Sequence, residues 1–133
     1  FRVANRASPF DLEVKGKDEV IEVQCSHDGF KRLPGRNTHK RRWCLTKNSL
    51  KITDKIEGRF QSAVARYHLH PEIKVIGDNE LQLPNGKIVK YVSEGDLRIE
   101  KTTWNPEFGK TIESQCLVLK FISSNVSVNF SWT

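Results

Sequence analysis

Asn125-Val126-Ser127-Val128-Asn129-Phe130-Ser131-Trp132 carries an apolar side chain at every second position and a small polar one between. In an extended chain that period puts Val126, Val128, Phe130 and Trp132 on one face and the Asn and Ser residues on the other. It predicts a half-buried antiparallel strand. The same period recurs upstream. Leu50, Ile52 and Ile56 share a parity that Asp54 interrupts, and Ala63, Ala65, Tyr67 and Leu69 face one way while Arg66, His68 and His70 face the other. No segment sustains the i, i+3, i+4, i+7 spacing of an amphipathic helix.

Further strands are expected over residues 10–14, 20–26, 38–46, 73–76, 80–83, 87–92, 97–103 and 111–122, each bounded by Gly, Asn, Asp, Pro or Ser. Leu83-Pro84-Asn85-Gly86-Lys87 is the sharpest hairpin signal, because Pro fixes the entry dihedral and Asn-Gly accepts positive φ. The expected fold is all-β: one antiparallel β-sandwich over residues 1–133, with about nine to ten short strands and little or no helix.

Composition agrees with a folded domain. Of 133 residues, 37% are hydrophobic and 29% charged, enough apolar material for a core and too much for disorder. No apolar run approaches the ~20 residues that span a bilayer. The opening FRVANRASPF lacks the apolar centre of a signal peptide, and the chain begins with Phe1. We therefore expect a piece of a longer protein, with any export signal upstream. Cys25, Cys44 and Cys116 contain no C-x-x-C pair, and an odd number cannot all pair within the chain; reduced, structural thiols are expected.

The net charge of +6 is concentrated: residues 27–47 hold seven basic side chains (Lys31, Arg32, Arg36, Lys40, Arg41, Arg42, Lys47) and one acidic one, Asp28. A Gly- and Pro-bearing loop sets these beside Phe30, Trp43, His27 and His39. Guanidinium forks match carboxylate and sulfate or phosphate geometry, and aromatic rings stack on a sugar face or a base, so the segment suits a polyanion or an acidic sugar. The bland alternative is a solvated face that keeps a sheet edge from aggregating. Nucleic acid is disfavoured, since no aromatic RNA-binding signature, helix-turn-helix pattern or zinc-finger spacing is present. In the strand over 38–46, His39, Arg41 and Trp43 share one face, and Lys40, Arg42 and Cys44 the other.

His68 and His70 lie at i and i+2 and point to one strand face, but a metal would need a further ligand such as His27 or His39. Spacing alone assigns no catalytic triad.

The residues His27-Asp28-Gly29-Phe30-Lys31-Arg32-Leu33-Pro34-Gly35, then Thr38-His39-Lys40-Arg41-Arg42-Trp43, then Ile52-Thr53-Asp54-Lys55-Ile56-Glu57-Gly58, then Tyr67-His68-Leu69-His70-Pro71, resemble the C-terminal part of heparinase II/III-like polysaccharide lyases. Phe1-Arg2-Val3-Ala4-Asn5-Arg6-Ala7 also resembles the segment after that family's core sheet motifs. The resemblance is strong over residues 1–71 and weaker over 72–133.

The resemblance implies a two-part parent: an N-terminal α/α toroid and a C-terminal antiparallel β-sandwich that contains this chain. It implies β-elimination on a uronic acid of an acidic polysaccharide, in which a base takes the C5 proton, nearby groups neutralise the C6 carboxylate and the C4–O bond breaks. In such lyases the catalytic Tyr and an Asn or His lie on the toroid, and the sheet's catalytic and metal-binding residues lie upstream of the segment like Phe1–Ala7. No catalytic residue, metal ligand or cofactor is therefore expected in this chain, and the chain alone is expected to be inactive. A divalent metal such as zinc would belong to the parent. Lys31, Arg32, Arg36, His39, Arg41 and His68 are the candidate substrate-binding residues. The expected partners are an acidic polysaccharide and the toroid, not nucleic acid or membrane. Self-association through exposed strand edges is expected if neighbouring strands are missing. The family's usual substrates imply a bacterial periplasmic or exported parent. The alternative is a free-standing module that binds an anionic glycan without cleaving it.

Overall fold

The computed structural model describes residues 6–133; Phe1–Asn5, the start of the segment like the family's post-core motif, lie outside the described residues. Eleven strands follow in chain order: β1 (Pro9–Lys17), β2 (Val20–His27), β3 (Thr38–Leu45), β4 (Ser49–Glu57), β5 (Ala63–His68), β6 (Lys74–Ile76), β7 (Glu80–Gln82), β8 (Ile88–Ser93), β9 (Asp96–Trp104), β10 (Ile112–Phe121) and β11 (Asn125–Trp132). Each lies in a segment where the sequence leads us to expect a strand, the three-residue β6 and β7 included, and both of these are paired. No helix occurs among the described residues.

All pairing is antiparallel, in two sheets. One has eight strands in the order β1-β2-β3-β4-β11-β8-β7-β6; the other has three, β5-β10-β9. The alternation at 125–132 lies at the centre of the larger sheet. Val128 stands opposite Ile52, and Phe130 stands opposite both Leu50 and Tyr91, so their apolar faces form one surface. The smaller sheet covers it with Ala65, Tyr67, Leu117, Leu119 and Phe121. Leu117, Leu119 and Val128 are fully enclosed, each worth ~1.5–3 kcal/mol of transfer free energy on the usual area scale.

The 83–87 turn forms as expected in outline. Leu83 N–H donates to Lys87 O at 2.9 Å, and Gly86 N–H to Leu83 O at 2.9 Å. Only Gly86 takes positive φ, +83°, so Asn85 contributes through its side chain, whose Oδ1 accepts from Lys87 N–H at 3.1 Å. The three cysteines are free thiols, with Cys116 buried.

Candidate functional site

Asp54, the residue that breaks the apolar parity of β4, points into the sandwich and is 1% exposed. A bare carboxylate there would lose several kcal/mol of hydration, so its survival depends on partners. Arg41 lies directly across the ladder on β3 and donates from Nε to Oδ1 at 2.7 Å and from Nη2 to Oδ2 at 3.1 Å. His39 Nε2 meets Oδ1 at 2.6 Å. From the other sheet, Tyr67 Oη donates to Oδ2 at 2.9 Å, and its ring lies 5.2 Å beneath the Arg41 guanidinium. Burial alone would raise the Asp54 pKa, yet the hydrogen bonds from His39, Arg41 and Tyr67 and the Arg41 charge outweigh it and hold the group at about 2. Burial, with the Asp54 charge second, pushes the Tyr67 phenol upward.

The network continues outward through His27, whose Nε2 lies 3.0 Å from His39 Nδ1. Gly29 N–H donates to His27 Nδ1 at 3.2 Å, so that nitrogen carries no proton. Neutral His27 is then protonated at Nε2 and donates to His39 Nδ1, which leaves the His39 proton on Nε2, facing Asp54. Burial, then the nearby His39 and Arg41, lower the His27 pKa, with Asp28 opposing. Each ring nitrogen of the pair already has a partner.

These residues lie at the floor of a cleft of about 490 Å³. Phe30 and Leu33 from the β2–β3 loop line it, with Phe60, Val64 and Phe121 from the opposite side. Two glycines fix how the loop meets that side. A Cβ on Gly35 would collide with the Arg59 carbonyl oxygen. Gly58 has φ +110°, and a Cβ there would stand 2.7 Å from Asn37 Nδ2. Asn37 is itself buried and donates to Glu57 O at 3.3 Å.

The six candidate binding residues fall into three places. His39 and Arg41 meet on Asp54 at the cleft floor. Lys31, Arg32 and Arg36 lie in the exposed loop above, with the Lys31 ammonium 5.6 Å from the Phe10 ring and Arg36 at φ +49°. His68 stands opposite Cys116 on the exposed outer face of β5, while its neighbour Tyr67 points inward. Reading the sequence for cations missed Asp54, Tyr67 and His27; the polar break at Asp54 in an apolar stripe was the available signal. His70 does not join them and packs against the Trp104 ring at 4.9 Å. Among the described residues no three His, Cys, Asp or Glu side chains are placed to hold a metal ion.

Among curated proteins none matches the sequence. Solved structures do. The crystal structure of heparan sulfate lyase HepC from Pedobacter heparinus is similar at TM-score 0.72 and 11% identity, over 96% of this chain and 22% of that one. Heparinase III, the BT4657 gene product, is similar at TM-score 0.67 and 12% identity, over 96% and 21%. The chain thus spans about a fifth of the length of the solved structures it matches. The family model described as heparinase II/III-like, C-terminal, matches residues 1–133, past the 1–71 where the motifs were clear and through the strand-only remainder, so the chain belongs to the heparinase II/III-like C-terminal family.

Proposed function

We propose that this chain is the C-terminal β-sandwich portion of a polysaccharide lyase that cleaves a uronic-acid-containing acidic polysaccharide by β-elimination, and that the chain is inactive alone. The family match over all 133 residues carries this reading. β-Elimination needs a base for the C5 proton, positive charge or donors at the C6 carboxylate and an acid at the leaving oxygen. Two features of this chain support a non-catalytic share. The ring nitrogens of His27 and His39 are engaged by Gly29, each other and Asp54, so neither histidine offers a free lone pair. Tyr67 donates its proton to Asp54 and lies buried. What the chain offers is a hydrogen-bonded cleft floor and three exposed cations in the β2–β3 loop, Lys31, Arg32 and Arg36, suited to holding sulfate or carboxylate groups. The test is the parent protein on heparan sulfate, alginate and a neutral glucan. Unsaturated product is expected from a uronate polymer and not from the glucan; a parent that turns over none of them removes the lyase reading.

The exposed basic loop also favours a second reading, a module that binds an anionic glycan without cleaving it. Upstream sequence distinguishes the two, since only the lyase requires a helical toroid there.

A further inference from the structure

The outer face of the smaller sheet is exposed on both flanking strands, at Val64, Arg66 and His68 of β5 and at Arg98 and Glu100 of β9, yet its central strand is covered. Strand parity turns Ser114, Cys116 and Val118 of β10 away from the sandwich core, and all three are buried. Side chains of the two flanking strands close over them. Arg66 reaches Glu100, Nη1 to Oε2 at 2.9 Å, and the pair crosses β10 beside Cys116 and Val118. At the Ile112 end of β10 a second bridge forms. There the His70 ring, just past β5, meets the Trp104 ring at the end of β9, with centroids 4.9 Å apart and planes tilted by 57°.

The ionic bridge satisfies its own charges, whereas the aromatic one leaves donors free. His70 Nδ1 accepts from Glu72 N–H at 3.3 Å, so neutral His70 carries its proton on Nε2. That N–H and the Trp104 indole N–H have no acceptor among the described residues, and the His70 side chain and Trp104 are 46% and 41% exposed. Phe108 adds a third ring to the same hairpin, fully exposed at the tip of the β9–β10 turn. The turn is braced: Lys110 N–H donates to Glu107 O at 3.1 Å, Gly109 takes φ +77°, and the Thr111 hydroxyl donates to Asn105 Oδ1 at 2.9 Å. Cover for β10 alone would need neither two free donors nor an exposed Phe108. Rings held in this way lose little conformational entropy on binding, since each has only two side-chain torsions to fix.

The charges beside these rings are paired: Arg66 with Glu100, Lys110 with Glu107, and His70 with Glu72 at 3.6 Å. The surface therefore offers ring faces and N–H donors without surplus charge, unlike the loop that carries Lys31, Arg32 and Arg36. A polyanion gains little from such a surface. A neutral sugar chain suits it, because the C–H face of a pyranose lies on an aromatic ring while its oxygens accept the N–H bonds. The geometry points to a glycan site on the outer face of the smaller sheet, separate from the basic loop, in which Trp104 and His70 hold an extended neutral pyranose chain and Phe108 contacts its next units. The site goes beyond the lyase reading and does not depend on it.

Calorimetric titration of the full-length parent with two neutral hexasaccharides, cellohexaose and N-acetylchitohexaose, at about 0.1 M and about 1 M salt tests this. Binding of at least one is expected, with the same affinity at both salt concentrations. Trp104→Ala is expected to weaken it about five- to ten-fold, and Phe108→Ala, at a fully exposed turn position where the fold is not at stake, about three-fold. Failure of both sugars to bind overturns the proposal. So does an affinity that falls with salt, which would assign the binding to the basic loop, and so does wild-type affinity in both variants. A lower thermal midpoint for Phe108→Ala in the absence of sugar also overturns it, because the ring would then be packed against another part of the protein.

Discussion

Arg41 and Asp54 face each other across the β3–β4 ladder and meet through two hydrogen bonds, 2.7 and 3.1 Å, with the carboxylate buried and the guanidinium partly exposed. The pair lies where the two sheets meet, and Tyr67 ties it to the smaller one. Asp54→Asn keeps the volume and removes the charge, leaving Arg41 without its counter-ion. Breaking a buried pair from one side costs ~3–5 kcal/mol, and Tyr67→Phe, which loses one bond, about 1 kcal/mol. Urea unfolding of the two variants should preserve that order; equal and small losses would show that the network contributes little.

Acid should expose the same group. The folded pKa of Asp54, about 2, lies below its ordinary 3.8. The unfolded chain therefore binds the proton first, and the stabilisation is present above the ordinary value and lost as pH falls through the folded one. About 2 kcal/mol should disappear between roughly pH 4 and pH 2. His27, lowered from 6.5, adds an earlier loss that begins as pH drops below that value. Stability measured against pH should lose the acid step in Asp54→Asn and the earlier one in His27→Gln.

The hydrogen-bond order Gly29 to His27 to His39 to Asp54 sets an Nε2–H tautomer for both imidazoles. Long-range nitrogen–proton spectra of histidine-labelled protein should report that tautomer for both. A proton on Nδ1 of His27 would contradict the Gly29 contact.

The Gly35–Gly58 junction should be the least tolerant backbone position beside the cleft. Gly58→Ala meets both a left-handed φ and Asn37, whereas Gly77→Ala meets only φ +57° in open space. The first should cost ~2–3 kcal/mol and the second nearer 1, measured by thermal unfolding. Equal costs would mean the loop yields at Asn37.

Much of this molecule was legible in the sequence, and the rest was lost for physical reasons. Period-two patterning identified the strands and put Tyr67 inward and His68 outward, because strand parity is local. The partners of Asp54 were not legible: Arg41 reaches it through a ladder register and Tyr67 through sheet packing, and neither is encoded by spacing. The basic run 27–47 read as one patch, yet the fold divides it between a half-buried floor, His39 and Arg41, and an exposed loop, Lys31 to Arg36.

Lys31, Arg32 and Arg36 should carry any affinity for an acidic glycan. Replacing all three with Ala should abolish salt-dependent retention on heparin, since each exposed cation contributes through counter-ion screening, and His68→Ala, on the far face, should leave it unchanged. Retention that depends on His68 instead would move the binding surface to the outer face of β5.

On the proposed reading, the chemistry of elimination lies outside these 133 residues. The direct measurement sets this chain and its full-length parent side by side at equal molar concentration on the polyuronate that the parent cleaves, and follows unsaturated product by absorbance. Steady product is expected from the parent and none from the chain; product from the chain alone would place the chemistry within these residues.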